Sequence, residues 1–226
     1  MRRLGTLLSI WIDRLITWLK WPVAVLALAL LPGATIAVIE LLVRVVTRPL
    51  PVTMFLVGFV LYFVVWLWFF RRSRFTFILT LEHEITHALF AIVTFHRVTG
   101  LRATAFRGGH VYFVGEGNWL ITVAPYFSPT LSLFLLVVAW FLPGFLVGVI
   151  NFVIGGSFAY HITSTLRETH PGQTDLQRAG VVFCLFFLPT ANIVTFGALL
   201  GFIYGGWPGS ARFVGTIWQR TLDILT

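Results

Sequence analysis

Residues 75–95 read FTFILTLEHEITHALFAIVTF, an apolar stretch of membrane-spanning length with His83, Glu84 and His87 at its centre. On an α-helix, positions four apart differ by about 40° and sit one turn above each other, so His83 and His87 can place imidazole nitrogens on one metal ion. Glu84 lies on the adjoining face. This is the H-E-x-x-H arrangement: two zinc ligands, and a carboxylate that takes a proton from the attacking water. An ionisable group at the bilayer centre costs between about 2.5 and well over 10 kcal/mol, so it persists mainly where it has partners or a function. Glu82, His83, Glu84 and His87 all fall in this one span. The alternative is a polar cluster that packs helices together through hydrogen bonds.

Around this stretch the chain is 58% hydrophobic and only 11% charged over 226 residues. Several runs approach the roughly 20 apolar residues needed to cross a bilayer, so an all-α polytopic membrane protein of about six transmembrane helices is expected, as one membrane domain over residues 1–226. The net charge of +8 comes from short basic clusters beside apolar runs. That distribution suits the anionic headgroups of a lipid bilayer, and no stretch resembles a nucleic-acid module. The single cysteine, Cys184, excludes an intramolecular disulfide and a multi-cysteine metal site; it reads as a buried small hydrophobe.

Before the motif, residues 1–20 carry Asp13, Arg14 and Lys20 among apolar positions at helical spacing, which predicts an interfacial amphipathic helix rather than a cleaved signal. A first span follows over residues 21–39, kinked at Pro32, with Glu40 spaced to pair with Arg44. Pro49 and Pro51 mark a turn, residues 52–70 a second span, and Arg71, Arg72 and Arg74 its stop at a membrane face.

Beyond the motif, residues 101–114, LRATAFRGGHVYFV, have the composition of a short β-hairpin centred on Gly108 and Gly109. Its open edge beside a metal site could hold an extended peptide by backbone hydrogen bonds; an ordinary interfacial hairpin is the alternative. His110 is a lone loop histidine that could ligate metal. Residues 119–166 contain no Asp, Glu, Lys or Arg and are long enough for two spans, with Pro143 and Gly144 at the turn. In the first of them, APYFSP places Pro125 and Pro129 one turn apart, which frees backbone carbonyls that must find partners in neighbouring helices or line a cavity. In the second, His161 reads as a core histidine, or else as a ligand or its hydrogen-bond partner.

A catalytic zinc needs a third protein ligand while keeping one position open. Residues 167–178, RETHPGQTDLQR, offer Glu168, His170 and Asp175. Asp175 stands just before the next apolar helix, where it is either a ligand or a helix N-cap; Glu168 reads as a solvated loop charge. The last apolar run, residues 179–207, contains Asn192, a donor to substrate backbone or to a neighbouring helix. The tail, residues 210–226, reads as a second interfacial helix.

HEITH within a span, Gly108-Gly109 in a strand-like insertion, APYFSP in the next span and Asp175 before the last together resemble the site-2 protease family of intramembrane zinc metalloproteases, in particular its small, divergent prokaryotic members. The resemblance covers roughly residues 75–200, within a metalloprotease-like core at 75–204. It implies zinc bound by His83, His87 and Asp175, Glu84 as the catalytic carboxylate, Gly108 and Gly109 at the substrate, and cleavage of peptide bonds in or near the transmembrane segments of membrane-protein or peptide substrates. The prokaryotic cell (inner) membrane is the location it implies, with room for a regulatory membrane partner or a homo-oligomer. Membrane-embedded prenyl-protein endopeptidases share H-E-x-x-H but need a glutamate ligand, for which Glu116 and Glu168 are the candidates. The non-enzyme alternative is a membrane scaffold or complex subunit with a structural or vestigial metal site.

Overall fold

The structure, a computed structural model, describes residues 2–70, 77–105, 108–170 and 172–226, and the side chains of these apart from residues 2–6 and 70. Arg71, Arg72 and Arg74, expected to mark a membrane face, lie outside the described residues. Of the described residues, 82% are helical. Its helices are α1 (Arg2–Thr47), α2 (Thr53–Val65), α3 (Phe77–Val93), α4 (Trp119–Val123), α5 (Thr130–Ala139), α6 (Val147–Glu168), α7 (Thr174–Ala179) and α8 (Val181–Leu225). Between α3 and α4, strands β1 (Val98–Ala103) and β2 (Gly109–Phe113) pair antiparallel, with Arg102 opposite His110 and a bulge between Val98 and Gly100.

Among the described residues, four stretches are long and apolar enough to cross a membrane: Leu7–Thr47, Leu50–Phe69, Gly144–Glu168 and Val181–Leu225. A fifth is reached if Trp119–Tyr126 and Thr130–Ala139, bent by 79°, form one broken span. The six expected would also include the motif helix and the broken span. The motif helix α3 is described over only 17 residues, and APYFSP breaks the span that follows it, because Pro125 and Pro129 each lack the N–H that would continue the helix.

Both segments expected to lie at the interface are helical and belong to the long helices beside them. Residues 2–20 are not separated from the first span: α1 runs unbroken for 46 residues through Pro22 and Pro32. The tail is the second limb of α8, which leaves helical geometry at Gly205 and Gly206 (φ 62°, ψ −153° at Gly206). Beyond that break the limb doubles back on the first, with Ser210 Oγ donating to the Ala198 carbonyl at 2.8 Å and the Phe213 ring in the space a side chain on Gly197 would need. Phe213 and Ile217 are buried with Ala34, Ala37 and Leu41 of α1. Arg220 binds Glu40 at 2.7 Å, closer than the expected partner Arg44 at 3.8 Å.

The other major contact joins α2 to α6. A side chain on Gly58 would meet the Phe152 carbonyl oxygen at 1.9 Å, and one on Gly155 would meet that of Phe55 at 1.9 Å, so the two backbones touch. A second buried cluster, Ala24, Val123, Tyr126, Leu176, Ala179, Phe183, Cys184 and Leu188, ties α1 to α4, α7 and the start of α8. It fixes α7 beside α3. Cys184 is a buried free thiol within it.

Candidate metal centre

Helix α3 brings His83, Glu84 and His87 to one face, as the four-residue spacing requires, and α7 carries Asp175 to meet them. The His83 and His87 Nε2 atoms lie 3.2 Å and 3.3 Å from the same Asp175 oxygen, Oδ2. One ligand atom from each of the three residues falls within 4.8 Å of the other two. Around a tetrahedral ion with bonds of about 2.0–2.1 Å, neighbouring ligand atoms stand about 3.3–3.4 Å apart, which matches both contacts.

The other ring nitrogens explain why these faces are presented. His83 Nδ1 is 2.7 Å from Glu168 Oε2, and His87 Nδ1 is 2.7 Å from the Ile121 carbonyl oxygen. Each partner can only accept, so each Nδ1 carries the hydrogen, and in a neutral imidazole the Nε2 lone pair then faces Asp175. Two lone pairs and a carboxylate converging on one point need a cation between them. A proton on one imidazole would meet part of that need; a metal ion uses all three groups at once, and the donor set of two imidazoles and a carboxylate suits zinc.

Pro125 accounts for the carbonyl that holds His87. In a continuous helix the N–H of residue 125 would donate to Ile121, four residues back, and proline has none to give. The Ile121 oxygen is left for the imidazole. The same break turns Tyr126 toward the site, with its hydroxyl 3.4 Å from Asp175 Oδ2 and its ring centroid 5.4 Å from that of His83. The Tyr126 carbonyl is in turn held by Asn192 Nδ2 at 3.0 Å. Asn192 therefore serves a neighbouring helix. Both contacts meet the expectation that APYFSP frees carbonyls for other partners.

Asp175 is the second residue of α7, one place past the first helical position; the N-cap is Gln173, whose side group makes no capping bond. Glu168 is not a solvated loop charge: it ends α6, and its side chain is 18% exposed against His83. No spacing rule in the sequence points from Glu168 to His83, 85 positions away.

The three groups open on a cavity of about 620 Å³ that Glu84, Gly108, Gly109, His110, Glu116 and Glu168 also line. Gly109 abuts Glu84: a side chain there would fall 2.5 Å from Glu84 Cγ. The hairpin can close over the Glu84 carboxylate because this position is glycine. His110 lines the cavity without joining the ligand cluster. His170 is exposed and faces a separate apolar cavity between α6 and α8. His161 is buried against Phe196 with Nδ1 unpartnered among the described residues, as a core histidine.

Asp13, which interrupts the apolar pattern near the N-terminus, has a fixed role. It binds His96 Nε2 at 3.0 Å and accepts from Asn118 Nδ2 at 2.7 Å, pinning α1 to both ends of the segment that carries the hairpin. Compared with known proteins, the sequence and fold match no protein-family model, no curated protein and no solved structure.

Proposed function

We propose that this protein is a zinc-dependent endopeptidase of the cell membrane, in a prokaryote the inner membrane, that cuts peptide bonds in or near transmembrane segments of membrane-protein substrates. The observation that carries the reading is the convergence of two Nδ1-anchored imidazoles on one Asp175 oxygen, with Glu84 next to His83 on the same helix. A purely structural polar cluster has no need of three acceptors aimed at one point beside a cavity of about 620 Å³.

His83, His87 and Asp175 would hold the zinc, and bound there it would supply Lewis-acid activation of water and of the scissile carbonyl. Glu84 accepts the proton of the attacking water and returns it to the leaving amine. Glu168 and the Ile121 carbonyl keep the two imidazoles in the tautomer that binds. Gly108 and Gly109 leave the hairpin wall bare where an extended substrate would lie, and the β-edge offers backbone hydrogen bonds to it. Because backbone within lipid is committed to helix hydrogen bonds, a substrate must unwind in the polar cavity before it is cut.

Metal analysis of the purified full-length protein, paired with Glu84→Gln, tests the reading. One zinc per molecule is expected in both proteins, with hydrolysis of a membrane-segment peptide lost by about 10²–10⁴-fold in the variant. Chelation should abolish the activity and zinc restore it. Zinc bound without hydrolysis by either protein would leave the scaffold reading in its place.

A further inference from the structure

Two cations in the cavity wall are used by none of this chemistry. Thr17 and Lys20, one turn apart on α1, and Asp175 and Arg178, one turn apart on α7, all line the same cavity. The Lys20 ammonium reaches the α7–α8 junction, 3.6 Å from where a side chain on Gly180 would begin, and lies 5.2 Å from the Phe183 ring centroid. Among the described residues, neither Lys20 nor Arg178 is in an ion pair. Of the cavity's carboxylates, Asp175 and Glu168 contact imidazoles, and Glu84 lies against the Gly109 backbone; none is in an ion pair with Lys20 or Arg178 among the described residues. Glu116, which also lines the cavity, is in no ion pair with either cation among the described residues.

Guanidinium and ammonium groups pair with oxyanions, and the oxyanion that a peptide brings to this cavity is a carboxylate. We propose that Lys20 and Arg178 form a subsite for a substrate carboxylate, either an acidic side group or a free C-terminus. Its place in catalysis rests on the protease reading; the binding itself does not. Residues one helical turn apart have Cβ atoms about 5–6 Å apart, and an extended peptide advances about 3.3 Å per residue. The carboxylate held by Arg178 therefore belongs to a residue about two or three positions from the bond at the metal centre.

The test uses the full-length protein in neutral phosphatidylcholine nanodiscs, zinc-loaded and carrying Glu84→Gln so that nothing turns over. Three versions of one fluorescent peptide are titrated by polarisation: an internal Glu with an amidated end, an internal Gln with a free C-terminus, and an internal Gln with an amidated end. At least one carboxylate peptide should bind about fivefold more tightly than the neutral one, the scale of a partly exposed ion pair. The arm that gains identifies the source of the carboxylate. Lys20→Met with Arg178→Met should bring the ratio to one, Arg178→Glu should favour a Lys-bearing peptide, and Lys20→Arg with Arg178→Lys should keep the preference. Equal binding of all three peptides overturns the subsite, even if the unaltered protein proves to be a protease. A carboxylate preference in a protein that hydrolyses nothing keeps the subsite and removes the protease reading.

Discussion

The α2–α6 contact and the α3–α7 contact hold the molecule together by opposite means. At the first, Gly58 and Gly155 let backbone meet backbone, and aromatic rings such as Phe55 and Phe158, 5.6 Å apart, fill the flanks. At the second, His83 and His87 meet Asp175 through polar contacts beside a cavity large enough for water. The difference follows from the solvent. Lipid tails are as apolar as leucine, so helices gain little from hiding apolar side chains and adhere by close packing instead. Polar groups cost more there and persist where they have partners, as the imidazoles and carboxylates of the α3–α7 contact do.

Stability and metal affinity should therefore be separable, and the largest effect belongs to the packed contact. Gly155→Leu places side-chain atoms where the Phe55 carbonyl already stands, and backbone cannot swing aside as a flexible side chain would. A loss of about 3 kcal/mol, the upper part of the range for overpacking, is expected. Thermal unfolding in detergent should show it equally with zinc and with chelator. An unchanged midpoint would mean that the glycine contact does not hold α2 to α6.

On the polar side, Glu168→Leu removes the acceptor of His83 Nδ1–H and frees the ring to turn its lone pair away. Metal affinity should fall about 10–100-fold, as it does for comparable outer carboxylates, with Glu168→Gln in between. In chelator, the unfolding midpoint should move less than it does for Gly155→Leu. A midpoint loss as large as that of the glycine variant, with zinc affinity intact, would make Glu168 a strut of the scaffold and erase the distinction.

What the sequence made legible divides along the same line. The four-residue spacing announced His83 and His87 because both lie on one helix, where geometry is local. Asp175 was singled out from Glu168 and His170 by the family resemblance alone; spacing does not choose among the three, and it is the fold that brings α7 beside α3. The different placements of Asp175, against both Nε2 atoms, and of Glu168, against His83 Nδ1, come from the tertiary structure and leave no mark in spacing. The doubling-back of α8 escapes a sequence reading for another reason: residues 210–226 are amphipathic enough to read as surface. Only one stripe of them, Ser210, Phe213, Ile217 and Thr221, is buried, where Gly201, Gly197 and Gly33 leave room for it, and no periodicity of hydrophobicity records that room. The four to five long apolar helices, by contrast, follow from composition and run length alone.

The smallest effect joins the two regions, because it reaches the metal centre through a helix break. Pro125→Ala restores an N–H four residues after Ile121, able to donate to the carbonyl that now accepts from His87 Nδ1 at 2.7 Å. With two donors competing for one oxygen, His87 is less well held, and zinc affinity should fall by roughly fivefold, about the net worth of one hydrogen bond. Pro129→Ala is the matched control. Its restored N–H would point to the Pro125 carbonyl, which no metal-ligating side group uses, so any general effect of straightening the 79° bend appears there as well. Zinc titration of both variants separates the two accounts. A larger loss in Pro125→Ala shows that the proline acts by withholding a donor, while equal losses would assign its role to the bend alone.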